Sequence, residues 1–167
     1  MAPRAGRPHM PGYGVPDDVA GVLPWSWAEE RLVGCRNYWV VTASARARPH
    51  AMPVWGVWLA DRERFVFSSS PGARKARNLA ENPQASVAID DTVECVVVEG
   101  TVADAARTDV GAAAIEAYVT KYAEPDGRAT LAEFIGINAL WALVPERAFA
   151  VIEREEEFGP KATKWTW

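Results

Sequence analysis

Apolar residues in this chain recur mainly with the short period of strands. From Asn37 to Ser44 β-branched and aromatic residues follow one another, and the turn-prone Ala45-Arg46-Ala47-Arg48-Pro49 separates them from a second run over 50–59. The pair predicts a hairpin. In the second run Met52, Val54, Gly56 and Trp58 share one face and Pro53, Trp55, Val57 and Leu59 the other, so both faces of that strand should be covered. Asp61-Arg62-Glu63 makes the next turn, and residues 64–70 form a third strand ending in Ser68, Ser69 and Ser70. Further strands are predicted over 85–90, 94–103, 139–144 and 147–153, with a final extended piece over 162–167.

Helical signals are fewer. Ser26-Trp27-Ala28-Glu29 has the capping-box pattern and predicts a short helix to Gly34. Ser70 followed by Pro71 reads as an N-cap with proline at the first helical position, and Asn82-Pro83 stops that helix. The longest predicted helix runs from Thr108 to Ala123, with Ile115, Tyr118, Val119 and Tyr122 at helical spacing; Asp126-Gly127 breaks it, and a short helix follows over 131–135.

Short strands joined early by hairpins, with few helices, predict a mainly β protein with some α: a closed or half-closed antiparallel barrel with helices packed outside. A doubly wound parallel sheet would need crossover helices inside residues 36–70, and none is signalled there. Residues 1–22, dense in Pro and Gly, read as a flexible or docking arm, and residues 23–167 as a single domain. No internal repeat is present.

Composition removes several function classes. A length of 167 residues with 49% apolar content suits one globular domain. The net charge of −4 gives no global positive field for a nucleic-acid backbone. No apolar run approaches the ~20 residues that span a bilayer, and the N-terminal stretch has no apolar signal region. Cys35 and Cys95 sit in apolar runs without metal-site spacing, which suits free thiols in a reducing compartment. A cytoplasmic protein without a metal site or membrane segment is expected. The eight tryptophans serve either core and dimer-interface packing or the lining of an aromatic cofactor site.

The candidate chemistry gathers after the third strand. A helix opening at Ser70 presents free backbone N–H groups and a positive dipole end beside Ser68, Ser69 and Ser70, a ready anion site. Lys75 and Asn78 at i, i+3 and Arg74 and Asn78 at i, i+4 converge on one surface. The competing reading is that Arg74, Lys75 and Arg77 only solvate an exposed helix face. On the neighbouring strand Pro53 removes a ladder donor and Gly56 a side chain, which marks either the close approach of a planar ligand or a bulge. No nucleophile or acid/base triad is evident. His50 stands alone at a strand start, for hydrogen bonding or substrate protonation, and Tyr118 and Tyr122 read as helix packing.

Arg48-Pro49-His50-Ala51-Met52-Pro53-Val54-Trp55-Gly56-Val57-Trp58, Phe67-Ser68-Ser69-Ser70, Arg74-Lys75-Ala76-Arg77-Asn78-Leu79-Ala80-Glu81-Asn82-Pro83, Val97-Val98-Glu99-Gly100 and Ala162-Thr163-Lys164-Trp165 together resemble the split β-barrel flavin/deazaflavin oxidoreductases related to pyridoxamine 5′-phosphate oxidase. The resemblance covers about residues 37–167, and the actinobacterial branch that uses coenzyme F420 looks most similar. It implies a homodimer and a cofactor phosphate held by Lys75 and Asn78, with Ser68, Ser69, Ser70 and Arg74 around it. It further implies that Pro53, Val54, Trp55 and Gly56 lie along the ring system and that Trp165 helps close the partner's site. Family members that bind FMN usually carry an arginine on the strand equivalent to 50–58, and its lack here favours the deazaflavin. The implied activity is hydride transfer from reduced F420 to a small unsaturated or carbonyl-type acceptor; the alternatives are an FMN-dependent enzyme and a non-catalytic flavin or deazaflavin carrier.

Overall fold

The computed structural model describes residues 2–107 and 110–167, so the predicted helix start at Thr108 lies outside the described residues. In chain order the elements are β1 (Arg4–Gly6), α1 (Trp25–Gly34), β2 (Asn37–Ala43), β3 (Pro49–Leu59), β4 (Arg64–Ser69), α2 (Arg74–Glu81), β5 (Gln84–Ile89), β6 (Glu94–Asp104), α3 (Gly111–Tyr122), α4 (Arg128–Gly136), β7 (Ala139–Ile152), α5 (Glu155–Lys161) and β8 (Thr163–Thr166). Strands β2, β3, β4, β7, β6 and β5 pair antiparallel in that order, and β5 returns to β2, closing a barrel. β8 joins the far half of β7 and β1 joins β8. The expected barrel with outer helices is therefore the fold.

Strict alternation sends one set of side chains inward. Tyr38, Phe65, Phe67, Val87, Val96 and Val98 are completely buried in the barrel core. Val57, Val66 and Ala142 point outward from β3, β4 and β7 and are covered by Ala114, Tyr118 and Tyr122 of α3 and Ile135 of α4 in a second apolar layer. That second layer is why β3 is apolar on both faces.

Two sequence expectations are corrected and one element is added. The two predicted strands around Pro145 are one, β7: the register with β6 shifts between Glu99 and Gly100, so the missing proline donor falls at a bulge. Gly100 makes this passage possible, since a Cβ there would stand 2.0 Å from the Val144 carbonyl oxygen. α1 begins at Trp25 with Pro24 as its cap and no side-chain capping bond, because Trp25 is drawn into the edge-on cluster of Trp58, Trp165 and Trp167; Glu29 instead accepts the Trp58 indole N–H at 3.0 Å. Between β7 and β8, where no element is predicted, the chain forms α5, whose three glutamates in the first turn and Lys161 in the last complement the helix dipole.

The N-terminal segment is tied down. β1 pairs with β8, and the Arg7 guanidinium donates to the carbonyls of Asp18 (2.7 Å), Pro160 (2.8 Å) and Ala162 (3.0 Å).

Candidate functional site

The site is a split in the barrel wall. β3 pairs with β4 only from Gly56↔Phe67 to Leu59↔Arg64. Beyond Gly56 the strands part: residues 49–55 of β3 pair with β2, while Ser68 and Ser69 of β4 pair with Leu140 and Ala139 of β7. At the apex of the split the Tyr118 hydroxyl accepts a hydrogen bond from the Ser68 N–H (3.0 Å) and donates to the Trp55 carbonyl (2.6 Å). One turn later on α3 the Tyr122 hydroxyl accepts from the Gly56 N–H (2.9 Å) and donates to the Arg36 carbonyl (2.6 Å). Both phenols are pushed up from their ordinary pKa by burial, Tyr122 to about 12, so they act as neutral donors and acceptors. The two rings thus do more than pack, and their spacing of four residues on an apolar helix face was the only sequence signal for it.

On the far side of the split the chain turns before the helix begins. Ala73 N–H donates to the Ser70 carbonyl (3.0 Å), with Pro71 and Gly72 in the turn, and the first helical bond runs from Arg77 N–H to the Ala73 carbonyl. The expected N-cap at Ser70 is therefore corrected to Ala73, because Pro71 presets the dihedral of a turn's second residue as well as that of a helix's first. This puts Arg74 and Lys75 at the first two helical positions, with no acid in the first turn. Cations at the positive end of a helix dipole are unfavourable unless an anion joins them.

Among the described residues neither Arg74 nor Lys75 has a hydrogen-bond or ion-pair partner. Partial burial holds the Lys75 ammonium below its ordinary pKa. His50, on β3 across the split, is also held below its usual value, by desolvation first and then by the Arg74 and Lys75 charges. Three basic groups therefore crowd one mouth of the split, a pattern the isolated His50 did not announce in the sequence.

The other expected site residues fall in different places. Pro53, Trp55 and Ser70 are exposed, with the Trp55 indole stacked on Tyr122 at 4.7 Å between ring centres. The Ser68 hydroxyl is buried without a partner among the described residues, while that of Ser69 accepts the Trp141 indole N–H at 3.0 Å. Asn78 lies on the buried face of α2, where its amide donates to the Thr42 hydroxyl at 3.0 Å, while Arg74 is exposed. Val54 belongs to the barrel core. At Gly56 a Cβ would stand 2.2 Å from Cζ of Phe65, whose ring fills the place, and the β3–β4 register passes through it without a shift. Trp165 is fully buried in its own chain's core, which leaves it no surface with which to close a partner's site.

A six-stranded antiparallel barrel with a split between β3 and β4 defines the class. The family model of pyridoxamine 5′-phosphate oxidase matches residues 28–153, and the chain belongs to that family. Among curated proteins none matches its sequence. Solved structures with the same fold include a heme-binding protein from Mycobacterium smegmatis, at 25% identity and a TM-score of 0.62 over 78% of this chain and 55% of that one. A second is the heme storage protein HutZ of Vibrio cholerae (20% identity, TM-score 0.61, 74% of this chain and 91% of that one). A third is a pyridoxamine 5′-phosphate oxidase-related FMN-binding protein from Nostoc punctiforme (18% identity, TM-score 0.57, 80% and 86%). Among the described residues no helix is long and apolar enough to cross a membrane, and no His, Cys, Asp or Glu group is arranged to hold a metal ion.

Proposed function

We propose that the split binds coenzyme F420 and that the protein is a deazaflavin-dependent reductase acting on a small unsaturated or carbonyl-type acceptor. The observation that carries this reading is the unpaired Arg74–Lys75 pair at the start of α2, facing His50. These groups fit a phosphate: two cations and the free N–H groups of the first turn converge where no protein anion answers them. Ser70 is exposed beside them, and the buried unpartnered Ser68 hydroxyl lies along the same strand end. Asn78 acts one step back, fixing α2 to β2 through Thr42.

The edge of β3 over residues 49–55 that β4 leaves free offers backbone donors and acceptors to a flat ring system beside Pro53 and Trp55. When bound, the reduced cofactor supplies the hydride, and the protein orients the partners and excludes water. Residues 50–58 contain no arginine, which supports the deazaflavin over FMN.

The active form in this reading is a cytoplasmic homodimer. An outward row of Pro53, Trp39, Ala88, Val97 and Phe149 runs across β3, β2, β5, β6 and β7 in register. Trp39 and Trp55 are 45% and 46% exposed on that side, more apolar surface than water favours. The alternative, FMN binding, is favoured by the Nostoc punctiforme neighbour, described as FMN binding. A non-catalytic carrier is favoured by the lack of an acid/base pair among the described residues of the split.

Tryptophan fluorescence titrated with F420, FMN and hemin separates these readings. Saturable quenching by F420 at the lowest concentration supports the proposal, and turnover of F420H2 with enone or quinone acceptors separates reductase from carrier. Tight binding of FMN or hemin with no response to F420 overturns it.

A further inference from the structure

A hollow of about 530 Å³ opens on the outside of the barrel between the end of α1 and α3, and none of the split's residues lines it. This volume lies within the range of small-molecule pockets, roughly 300–1,000 Å³. Its walls include Val33, Val57, Leu59, Ala113 and Ala117, and Lys121 lines it too.

The Lys121 ammonium donates to the Tyr38 hydroxyl at 2.7 Å and to the Gly56 carbonyl at 3.1 Å, while the Val33 carbonyl lies at a long 3.4 Å. All three acceptors are neutral, and no carboxylate pairs with Lys121 among the described residues. Burial pushes this amine down to about 8, with Arg36 acting in the same direction and Cys35 against it. The other charged or titratable groups around it are Tyr38 on β2, Tyr122 on α3, and Asp61 and Glu116 at the rim. Glu116 is paired with Arg128 at 2.9 Å. A desolvated cation without a counter-charge at the side of an apolar hollow is costly, and an entering anion relieves that cost.

We propose that this hollow is a binding site for a small amphipathic carboxylate, whose charged end takes the weakly held third N–H of Lys121 and whose apolar body lies against Val57, Leu59 and the alanines of α3. Octanol carries the same tail without the charge, so the two ligands separate pairing from simple apolar burial. The proposal is independent of the cofactor reading, because its readout involves no deazaflavin.

Calorimetric titration with octanoate and with 1-octanol tests it. The wild-type protein should bind octanoate about ten- to a hundredfold more tightly than octanol near pH 7, the range of a charge-assisted hydrogen bond. Lys121→Met should bind the two alike, and Lys121→Arg should keep the preference. Since Lys121 also braces Tyr38 and Gly56, a measurement needing no variant stands beside these. From pH 7 to pH 10 octanoate affinity of the wild-type protein should fall about tenfold or more as the ammonium is lost, while octanol affinity stays level. Equal affinities at pH 7, no binding of either ligand, or an octanoate affinity independent of pH overturns the proposal.

Discussion

The Tyr118 hydroxyl stands between the Ser68 N–H and the Trp55 carbonyl, 3.0 and 2.6 Å from them, where the β3–β4 ladder would have placed its next bond. A side chain from α3 thus holds open the split in which the cofactor site is proposed. Removing the hydroxyl leaves a part-buried donor and a part-buried acceptor unpaired. Tyr118→Phe should lose about 1–3 kcal/mol of stability, measured by urea unfolding, and the Ser68 amide should exchange faster with solvent. Unchanged stability and exchange would mean that water or the ladder itself replaces the phenol.

Gly56 and Phe65 form the matching contact inside the barrel. Because an added methyl would meet the Phe65 ring at 2.2 Å, Gly56→Ala should destabilise the protein by about 1–3 kcal/mol, and the double change with Phe65→Leu should recover part of the loss. Differential scanning calorimetry of the four proteins measures this coupling, and strict additivity would contradict it.

This pair also shows where the sequence stops being legible. Gly56 was conspicuous in an apolar strand, but only the register Gly56↔Phe67 and Trp58↔Phe65 reveals that a ring from β4 fills its place. Local patterns carried the β2–β3 hairpin, β4, and the stop at Asn82-Pro83, since alternation and turn chemistry are properties of neighbours in the chain. The Ser70-Pro71 signal misled, because a tight turn and a helix start ask for the same residues. The buried positions of Asn78 and Trp165 depend on contacts with Thr42 and Trp25, far away in sequence.

Lys121 gives the protein a distinctive alkaline response. Its folded pKa of about 8 lies below the usual lysine value of about 10.4, so between these limits the unfolded chain binds more protons than the native one, and stability contributed by this group rises with pH. The raised thiols of Cys35 and Cys95 act in the opposite sense, so the group is isolated by difference. Urea unfolding of wild type and Lys121→Met from pH 7 to pH 10 should show the wild type gaining stability relative to the variant. A gap between them that is constant with pH would contradict this account.

The affinity of the purified protein for F420, compared between wild type and Lys75→Ala, tests the cofactor site most directly. If the unpaired ammonium at the start of α2 grips the phosphate, the variant should bind more weakly by about 1.5–3 kcal/mol, roughly ten- to 150-fold, with its unfolding midpoint not lowered. Equal affinity in the two proteins would contradict the account and leave Arg74 and Lys75 as a solvated helix face.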